Sequence, residues 1–241
     1  MTAAHAQELA RLAGSTVVEK IAEHAWRIRK GAPADGIAPY CEKLRIDYAF
    51  IPEGRRFADL RLLAMDMDST LITIECIDEL GEIAGCKSEI AAITAQAMRG
   101  ELDYPQSLRQ RVELLAACKR YGVRVLLVSG GFTFFTERLK TRLGIDYTIS
   151  NRLQINAGRL TGQLVGDVVD AKAKAAKFAA VAKELGARRE ETLAIGDGAN
   201  DLKMMALAGL SVAFQAKPVV RAQASCAITW CGLDAIVRLY E

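Results

Sequence analysis

The sequence lacks several features that would at once assign it to a common class of protein. No apolar run approaches the roughly 18 residues that a membrane-spanning helix needs. The first residues have no basic segment followed by an apolar block, so we expect no signal peptide. The net charge is only +3, from 32 basic and 29 acidic residues, and gives no indication of nucleic acid or a membrane surface as partner. A GxxxxGK[ST] motif is also missing, which excludes a P-loop nucleotide site.

The six cysteines lack a pattern as well. None forms a CxxC pair, and none has histidine partners at the spacing of a metal site. In a chain of 241 residues, such cysteines are typical of small buried side chains in a reducing compartment. We therefore predict a cytoplasmic protein. Its length allows one large domain, or a main domain with a smaller companion.

The most informative stretch is LRLLAMDMDSTL, at positions 60–71. Its apolar run is long enough for a strand buried on both faces, and it stops on two carboxylates, Asp66 and Asp68. Residues two apart in extended backbone point the same way, and open α/β sheets bind ligands at the carboxyl ends of their strands. An EF-hand loop is excluded, because it needs Gly and Glu where this chain has Leu71 and Ile77. A plain polar turn remains the alternative.

The segments on either side of this stretch differ in character. Residues 1–59 predict a small α+β region, with helical patterns and an alternating, strand-like segment at 46–54. Residues from about 73 to 116 are helical in pattern and carry no strand signal. The helices predicted there cover 75–85 and 88–99, and a third begins near Tyr104.

From Val123 onward, short apolar strands alternate with helices. Strands are predicted at 123–129, 192–197 and 210–214, and helices at 132–143, 171–185, 201–208 and 233–240. A hairpin is predicted between 145 and 162. This alternation predicts a parallel, doubly wound α/β sheet over 60–241, with a helical cap inserted at about 73–116.

Three of the predicted strands end in polar residues: DMDST at 66–70, SGG at 129–131 and GDGAND at 196–201. In a parallel sheet these ends share one edge, and Lys174, near a helix start, can reach the same edge. Each feature also has a structural alternative. Ser129 can be a turn residue, Lys174 a solvated charge, and 197–201 the capped start of a helix.

Together these residues predict phosphoryl transfer. A cluster of carboxylates repels an anionic substrate unless a cation is bound, and hard oxygen ligands suit Mg²⁺. The cation and Lys174 would neutralise the phosphate, with the Ser129 hydroxyl and the Gly130 amide donating to it. One carboxylate can attack phosphorus to give an aspartyl-phosphate. A second can protonate the leaving alcohol and later deprotonate water.

These motifs resemble a known family. DMDSTL, SGGF, the helix that carries Lys174, and GDGAND are similar to the four motifs of the haloacid dehalogenase (HAD) superfamily of phosphatases. Longer stretches, among them DMDSTLITIECIDELGEIAG and AIGDGANDLKMMALAGLSVAFQAKP, resemble the branch that hydrolyses O-phospho-L-serine. The resemblance covers about residue 60 to the C-terminus. It implies a HAD-type Rossmann-like core with an inserted cap, and Mg²⁺-dependent hydrolysis in the last step of serine biosynthesis.

The resemblance also implies a role for each site residue. Asp66 is the nucleophile and Asp68 the general acid and base. The implied metal ligands are Asp66, Asp68 through its carbonyl, Asp197 and Asp201. The residues implied in substrate binding are Ser129, Gly130, Lys174 and Asn200 at the phosphate, Glu75 at the serine ammonium, Arg111 at its carboxylate, and Met98, Gly100 and Tyr104 on the closing surface of the cap.

Two parts of the chain depart from the family pattern. Residues 1–59 occupy the place where relatives carry ACT-like regulatory modules, but they match too weakly to assign a ligand. Between the third cap helix and the SGGF strand, the family has a further cap helix, a linker and a core helix. Here RVELLAACKRYGVRVLLVSGGF runs straight through. Either the deletion is real or residues are missing between Val112 and Tyr121, and the intact flanking motifs favour missing residues.

Two other functions remain open. One is a phosphatase or phosphotransferase for another small amino-acid phosphate. The other is a catalytically idle regulatory or binding protein, which the intact catalytic positions disfavour. The oligomeric state is not indicated by the sequence.

Overall fold

The strands predicted from short apolar runs belong to one seven-stranded sheet. The computed structural model describes residues 1–72 and 104–240, with the backbone alone described for 104–109. Near the N-terminus, β1 (Val17–Ala22) and β2 (Ala25–Arg29) form a separate hairpin. Across the large sheet, the strands run in the order β6 (Arg159–Val165), β5 (Tyr147–Asn156), β4 (Arg124–Phe132), β3 (Leu62–Asp66), β7 (Thr192–Gly196), β8 (Leu210–Phe214) and β9 (Cys226–Ile228).

Neighbouring strands of this sheet are parallel, except that β5 and β6 form the predicted antiparallel hairpin at one edge. Strand β3 lies between β4 and β7. The chain leaves β3 to build β4 on one side and returns to build β7 on the other. Such a reversal opens a crevice at the carboxyl ends of the strands. The predicted α/β fold is therefore confirmed, and the crevice lies where the three polar motifs end.

Helices connect the strands, and their bounds agree broadly with the predicted ones. Those in the described residues are α1 (Ala3–Leu12), α2 (Ile37–Leu44), α3 (Tyr104–Tyr121), α4 (Thr133–Leu143), α5 (Ala171–Glu184), α6 (Leu202–Met205) and α7 (Pro218–Arg221). The closing segment Leu233–Leu239 is a 3₁₀ helix rather than the predicted α-helix. None of the described helices is long and apolar enough to cross a membrane. The cap helices predicted at 75–85 and 88–99 lie outside the described residues.

Strand β3 is buried on both faces, as predicted. Leu63 and Met65 pack in the core that covers one face, together with residues of α3. Leu62 and Ala64 pack in the core on the other face, together with residues of α5. These four side chains have no exposed surface, and so the strand holds its last residue, Asp66, rigidly at the sheet edge.

Helix α3 is continuous from Tyr104 to Tyr121. It begins where the third cap helix was predicted, and its second half packs on the sheet through Leu114 and Cys118, both of which have no exposed surface. Gly122, at φ +71°, then turns the chain into β4. The helix is continuous across the junction between Val112 and Tyr121, and the choice between a real deletion and missing residues stays a prediction.

The N-terminal region has a small core of its own. Leu9 of α1 and Ala13, which caps the end of that helix, pack with Ile37 and Cys41 of α2, and the β1–β2 hairpin lies alongside α1. The predicted α+β character of this region is confirmed by these elements. Its separation from the core as a domain ending at residue 59 stays a prediction.

The prediction of a strand at 46–54 is wrong. The segment forms no strand, although its residues alternate in polarity, because its groups bind the main domain and not a neighbouring strand. The Asp47 carboxylate accepts hydrogen bonds from three successive amides, of Thr229 (2.8 Å), Trp230 (2.9 Å) and Cys231 (2.7 Å). Ile51 packs against the main core. The alternation therefore reflects docking of the segment on the core surface.

Candidate active site

The first acidic pair lies at the carboxyl end of β3. Asp66 is the last residue of the strand and is 6% exposed. After it the backbone turns sharply, and Ser69 adopts a left-handed conformation at φ +56°. Asp68, in this turn, is half-buried and accepts a hydrogen bond from the Ser129 hydroxyl (3.3 Å). The turn is therefore built into the crevice and is not a plain surface turn.

The second motif lies on the neighbouring strand. Ser129 has no exposed surface, and its Oγ accepts a hydrogen bond from the Gly131 amide (2.8 Å). A Cβ on Gly131 would lie 3.0 Å from Ser129 Oγ and 3.3 Å from Met67 Cε. A larger residue there would require these two side chains to shift by a few tenths of an ångström. Gly130, whose amide is predicted to bind the phosphate, lies between Ser129 and Gly131 at the exposed tip of the turn.

Lys174 reaches the site from the first turn of α5. That helix begins after Asp170, whose carboxylate accepts hydrogen bonds from the amides of Lys172 and Ala173 (2.9 Å each). Lys174 is 1% exposed, and its Nζ donates to the carboxylates of Asp66 and Asp201, the latter at 2.8 Å. The alternative that Lys174 is a solvated charge is wrong.

Burial disfavours the charged forms of both Lys174 and Asp66, and it therefore shifts their pKa values in opposite directions. It would lower the pKa of Lys174, but the nearby carboxylates of Asp66 and Asp201 more than offset this, and the pKa is raised. Burial raises the pKa of Asp66 to about 8, and the charge of Asp201 adds to the rise while Lys174 opposes it. The positive charge of Lys174 therefore does not fully offset the effects of burial and of Asp201 on the Asp66 carboxylate.

The third motif supplies two acids beside β7. Asp201 has no exposed surface, and its second carboxylate oxygen accepts a hydrogen bond from the Gly198 amide (3.2 Å). Asp201 thus stabilises the turn at 198–201 through the Gly198 amide and also accepts a hydrogen bond from Lys174. Asp197 accepts a hydrogen bond from the Thr70 hydroxyl (3.1 Å). Asn200 is exposed at the same turn, with its side-chain oxygen against Gly198.

Three of the four predicted metal ligands come together. Asp66, Asp197 and Asp201 each offer a carboxylate oxygen, and these oxygens lie within 4.8 Å of one another. Oxygen donors of this kind suit a hard divalent cation. A cation would also supply the positive charge that Asp66 lacks. The residues present therefore fit a metal site at this edge of the sheet. The side chain of Asp68 is not part of this cluster, and its implied role through the backbone carbonyl stays a prediction.

The predicted head-group residues are only partly described. Glu75, Met98 and Gly100 lie outside the described residues, and Tyr104 is the first residue of α3, described by its backbone alone. Arg111 is 4% exposed, and its Nε donates to the Thr70 carbonyl (2.9 Å). Its guanidinium carbon lies 5.6 Å from the centre of the Phe214 ring, and burial lowers its pKa. Helix α3 thus brings Arg111 to the loop that follows Asp66.

Two residues near the site were missed by sequence reasoning. Thr70 connects Arg111 to Asp197 through its carbonyl and its hydroxyl. It stands inside the DMDST motif, so its position was a usable signal. Asn151 is 6% exposed and lies on β5, and its side chain bonds to the SGG turn. Nothing in its local sequence marks it.

The arrangement defines a class of enzyme site. A buried carboxylate able to attack, a second carboxylate beside it, a lysine, a buried serine and an acidic cluster for a cation together suit phosphoryl transfer through an aspartyl-phosphate. Comparison with known proteins places the chain more closely. The family model of haloacid dehalogenase-like hydrolases matches residues 25–206, and the chain belongs to this family.

Several of the similar proteins are named as phosphoserine phosphatases. The phosphoserine phosphatase of Polaromonas sp. is 48% identical over 217 aligned positions, which cover 77% of this chain and 92% of that protein. The crystal structure of a probable phosphoserine phosphatase from Vibrio cholerae has a TM-score of 0.75 at 35% identity, covering 100% of this chain and 83% of that one. A substrate-bound phosphoserine phosphatase has a TM-score of 0.61 at 37% identity, covering 76% of this chain and 99% of that one.

The alignment with the Polaromonas protein also shows a difference in length. It extends over 217 positions but includes 77% of 241 residues, or about 186, so about 31 positions have no counterpart in this chain. A shortened junction between the cap and β4 would account for a gap of this size.

Proposed function

We propose that this protein hydrolyses O-phospho-L-serine to serine and phosphate, in the last step of serine biosynthesis, with Mg²⁺ bound by Asp66, Asp68, Asp197 and Asp201. The observation that carries the proposal is the contact of Lys174 with both Asp66 and Asp201 at the edge of the sheet. It is supported by the phosphoserine phosphatases to which the chain is similar.

The chemistry follows from the positions of two carboxylates. Asp66 attacks phosphorus, and a bond from its oxygen to phosphorus forms as the bond to the seryl oxygen breaks. Asp68 gives its proton to the leaving oxygen, which becomes the serine hydroxyl. Asp68 then takes a proton from water, whose oxygen attacks the aspartyl-phosphate and releases phosphate and the Asp66 carboxylate.

Other side chains neutralise the phosphoryl group as it is transferred. Lys174 supplies a buried positive charge, and the Ser129 hydroxyl and the Gly130 amide donate hydrogen bonds. Asn200, in the exposed turn at the same edge, would also contact the phosphate. The Mg²⁺ ion, when bound, offsets the negative charge of the acids and of the phosphate.

Recognition of the amino-acid head group belongs to the same proposal. Glu75 would pair with the serine ammonium and Arg111 with its carboxylate, since Arg forms two parallel hydrogen bonds to a carboxylate. Met98, Gly100 and Tyr104 would close over the substrate and exclude water. A cytoplasmic location is part of the proposal too, and the described cysteines, Cys41, Cys118, Cys226 and Cys231, are free thiols.

The second candidate is a phosphatase or phosphotransferase for another small amino-acid phosphate. One observation favours it: the connection between cap and core is shorter than in the family pattern. The residues proposed to recognise the head group belong to the cap. The chemistry of Asp66, Asp68 and Lys174 would be the same in both cases.

The test is a panel of phosphate monoesters with the full chain and Mg²⁺. Phosphoserine, phosphothreonine, phosphotyrosine and an aryl phosphate are compared by kcat/KM, with release of phosphate as the signal. We expect phosphoserine to be preferred by more than tenfold. A preference for phosphothreonine or phosphotyrosine would favour the second candidate, and hydrolysis of none of the four esters would contradict both.

A further inference from the structure

The SGG turn interrupts the pairing of β4 with β5. Val128 pairs with Ile149 and Phe132 pairs with Asn151, so four residue steps along β4 lie opposite two steps along β5. The extra residues bulge out of the ladder and carry Ser129 into the crevice. A bulge of this kind leaves backbone groups without their ladder partners, and a buried group of that kind needs another partner.

The side chain of Asn151 supplies such a partner. Its Nδ2 donates to the Gly130 carbonyl at 2.7 Å. Its Oδ1 accepts a hydrogen bond from the Val169 amide at 2.8 Å. This orientation of the amide is the one that satisfies both contacts, since a carbonyl can only accept and a backbone amide can only donate.

The two partners of Asn151 belong to the two elements that hold phosphate. Gly130 is next to Ser129 in the bulge. Val169 precedes Asp170, which caps α5 one turn before Lys174. A single buried side chain therefore links the hydroxyl side of the phosphate site to its lysine side.

We propose that Asn151 is a positioning residue, which sets the distance between the Ser129–Gly130 bulge and the start of the helix that carries Lys174. It does not touch the phosphate. It acts by holding donors from two elements at one spacing, so that both reach the same phosphoryl group. The inference rests on the proposed phosphate site, but not on the identity of the alcohol that leaves.

The chain offers a matched control beside the same strand. Ser150 is adjacent to Asn151 on β5, and its hydroxyl shares a hydrogen bond of 2.7 Å with the hydroxyl of Thr136 on α4, which has no exposed surface. Thr136→Val removes this bond and keeps the shape of the side chain. The variant thus weakens the region of β5 without changing the bulge or the helix.

The experiment compares wild type, Asn151→Ala and Thr136→Val as full chains with Mg²⁺. Binding of inorganic phosphate is measured by calorimetry, hydrolysis of an aryl phosphate by kcat/KM, and stability by Tm. For Asn151→Ala we expect phosphate affinity to fall about tenfold and kcat/KM about 100-fold, as for a misplaced donor. Thr136→Val should stay within about twofold of wild type in both while losing Tm.

The outcomes separate the alternatives. Unchanged phosphate affinity in Asn151→Ala, or equal losses in the two variants, would overturn the positioning role. If Asn151→Ala does not fold, Asn151→Ser replaces it, with the same expected ranking against Thr136→Val. A wild type that hydrolyses the aryl phosphate but not phosphoserine contradicts the proposed function alone. A wild type that binds no phosphate overturns both.

Discussion

The carboxyl edge of the sheet and helix α3 serve the same site, but they follow the family pattern to different degrees. At the sheet edge, Asp66, Ser129, Lys174 and Asp201 come from four separate elements and are bonded to one another or to their neighbours. Helix α3 is one continuous helix where the family pattern has further helices and a linker, and about 31 positions of the alignment with the Polaromonas protein have no counterpart in this chain. The polar residues at the sheet edge therefore follow the family pattern, and the connection before β4 does not.

This difference follows from how the two regions are held. The sheet-edge residues are held by the ends of β3, β4 and β7 and by the start of α5. Arg111 is held by α3, whose second half is packed on the sheet. The reaction at Asp66 and the recognition of the head group can therefore be tested separately.

The largest effect is expected at the nucleophile. Asp66→Asn should lower kcat on the order of 10⁴-fold or more, because an amide cannot attack phosphorus and the residues of such a site act as a unit. Phosphate release from phosphoserine measures it. Asp59→Asn is the control, since Asp59 is exposed and pairs with Arg56 at the surface. Appreciable turnover by Asp66→Asn would rule out the aspartyl-phosphate.

The packing of α3 as a core helix predicts a large effect on stability. Leu114→Ala should lower the free energy of unfolding by about 2–5 kcal/mol, because it leaves a cavity between α3 and the sheet. Val112 lies on the same helix and is 48% exposed, so Val112→Ala should change it by less than about 0.5 kcal/mol. Urea unfolding measures both. If the two variants lose the same amount, α3 is not packed on the sheet.

The role of Arg111 is the point at which the two regions meet. If it binds the serine carboxylate, Arg111→Ala should lose about 1.5–3 kcal/mol of transition-state binding, more than tenfold in kcat/KM, on phosphoserine. An aryl phosphate has no such carboxylate and should lose much less. Arg120→Ala, an exposed position on the same helix, is the control for the helix itself.

The Arg111 experiment can also come out against the head-group role. Arg111 donates to the Thr70 carbonyl, and Thr70 donates to Asp197. Equal losses on phosphoserine and on the aryl phosphate would mean that Arg111 acts through this loop and the acidic cluster.

What could be predicted from the sequence depends on how local each signal is. The four motifs stand at predicted strand ends or helix starts, and a parallel sheet brings such ends together, so Asp66 and Lys174 were found without a structure. Asn151 was missed because its role depends on a bulge in a different strand. The segment at 46–54 misled because docking on a surface and pairing in a sheet give the same alternation.

The junction before β4 is a third case. The motifs on either side of it are intact and favour missing residues, but intact motifs do not fix the spacing between them, so the origin of the short junction stays a prediction. A helix can be shortened between two packed regions if its remaining residues still reach both. Here Leu114 packs on the sheet and Arg111 reaches the catalytic loop from the same helix.

The last prediction concerns the effect of pH and of the cation on stability. In metal-free protein, the pKa of Asp66 is raised by burial from its ordinary value of 3.8 to about 8. The folded state therefore holds a proton more tightly than the unfolded state between these values. Its contribution to stability is complete below about pH 4 and is lost as the pH rises toward 8, with a slope of at most about 1.4 kcal/mol per pH unit.

The pKa of about 8 already includes the opposing effect of Lys174. Asp66→Asn removes the titrating group, so in EDTA its free energy of unfolding should fall less than that of wild type from pH 5 to 8. Mg²⁺ should then stabilise wild type more than Asp66→Asn, since it binds the folded state through the carboxylate that the variant lacks. Urea unfolding across this pH range, with and without Mg²⁺, measures both differences. Parallel pH profiles in EDTA, with equal gains from Mg²⁺, would mean that neither the buried charge nor the cation acts at Asp66, and the acidic cluster would then need another explanation.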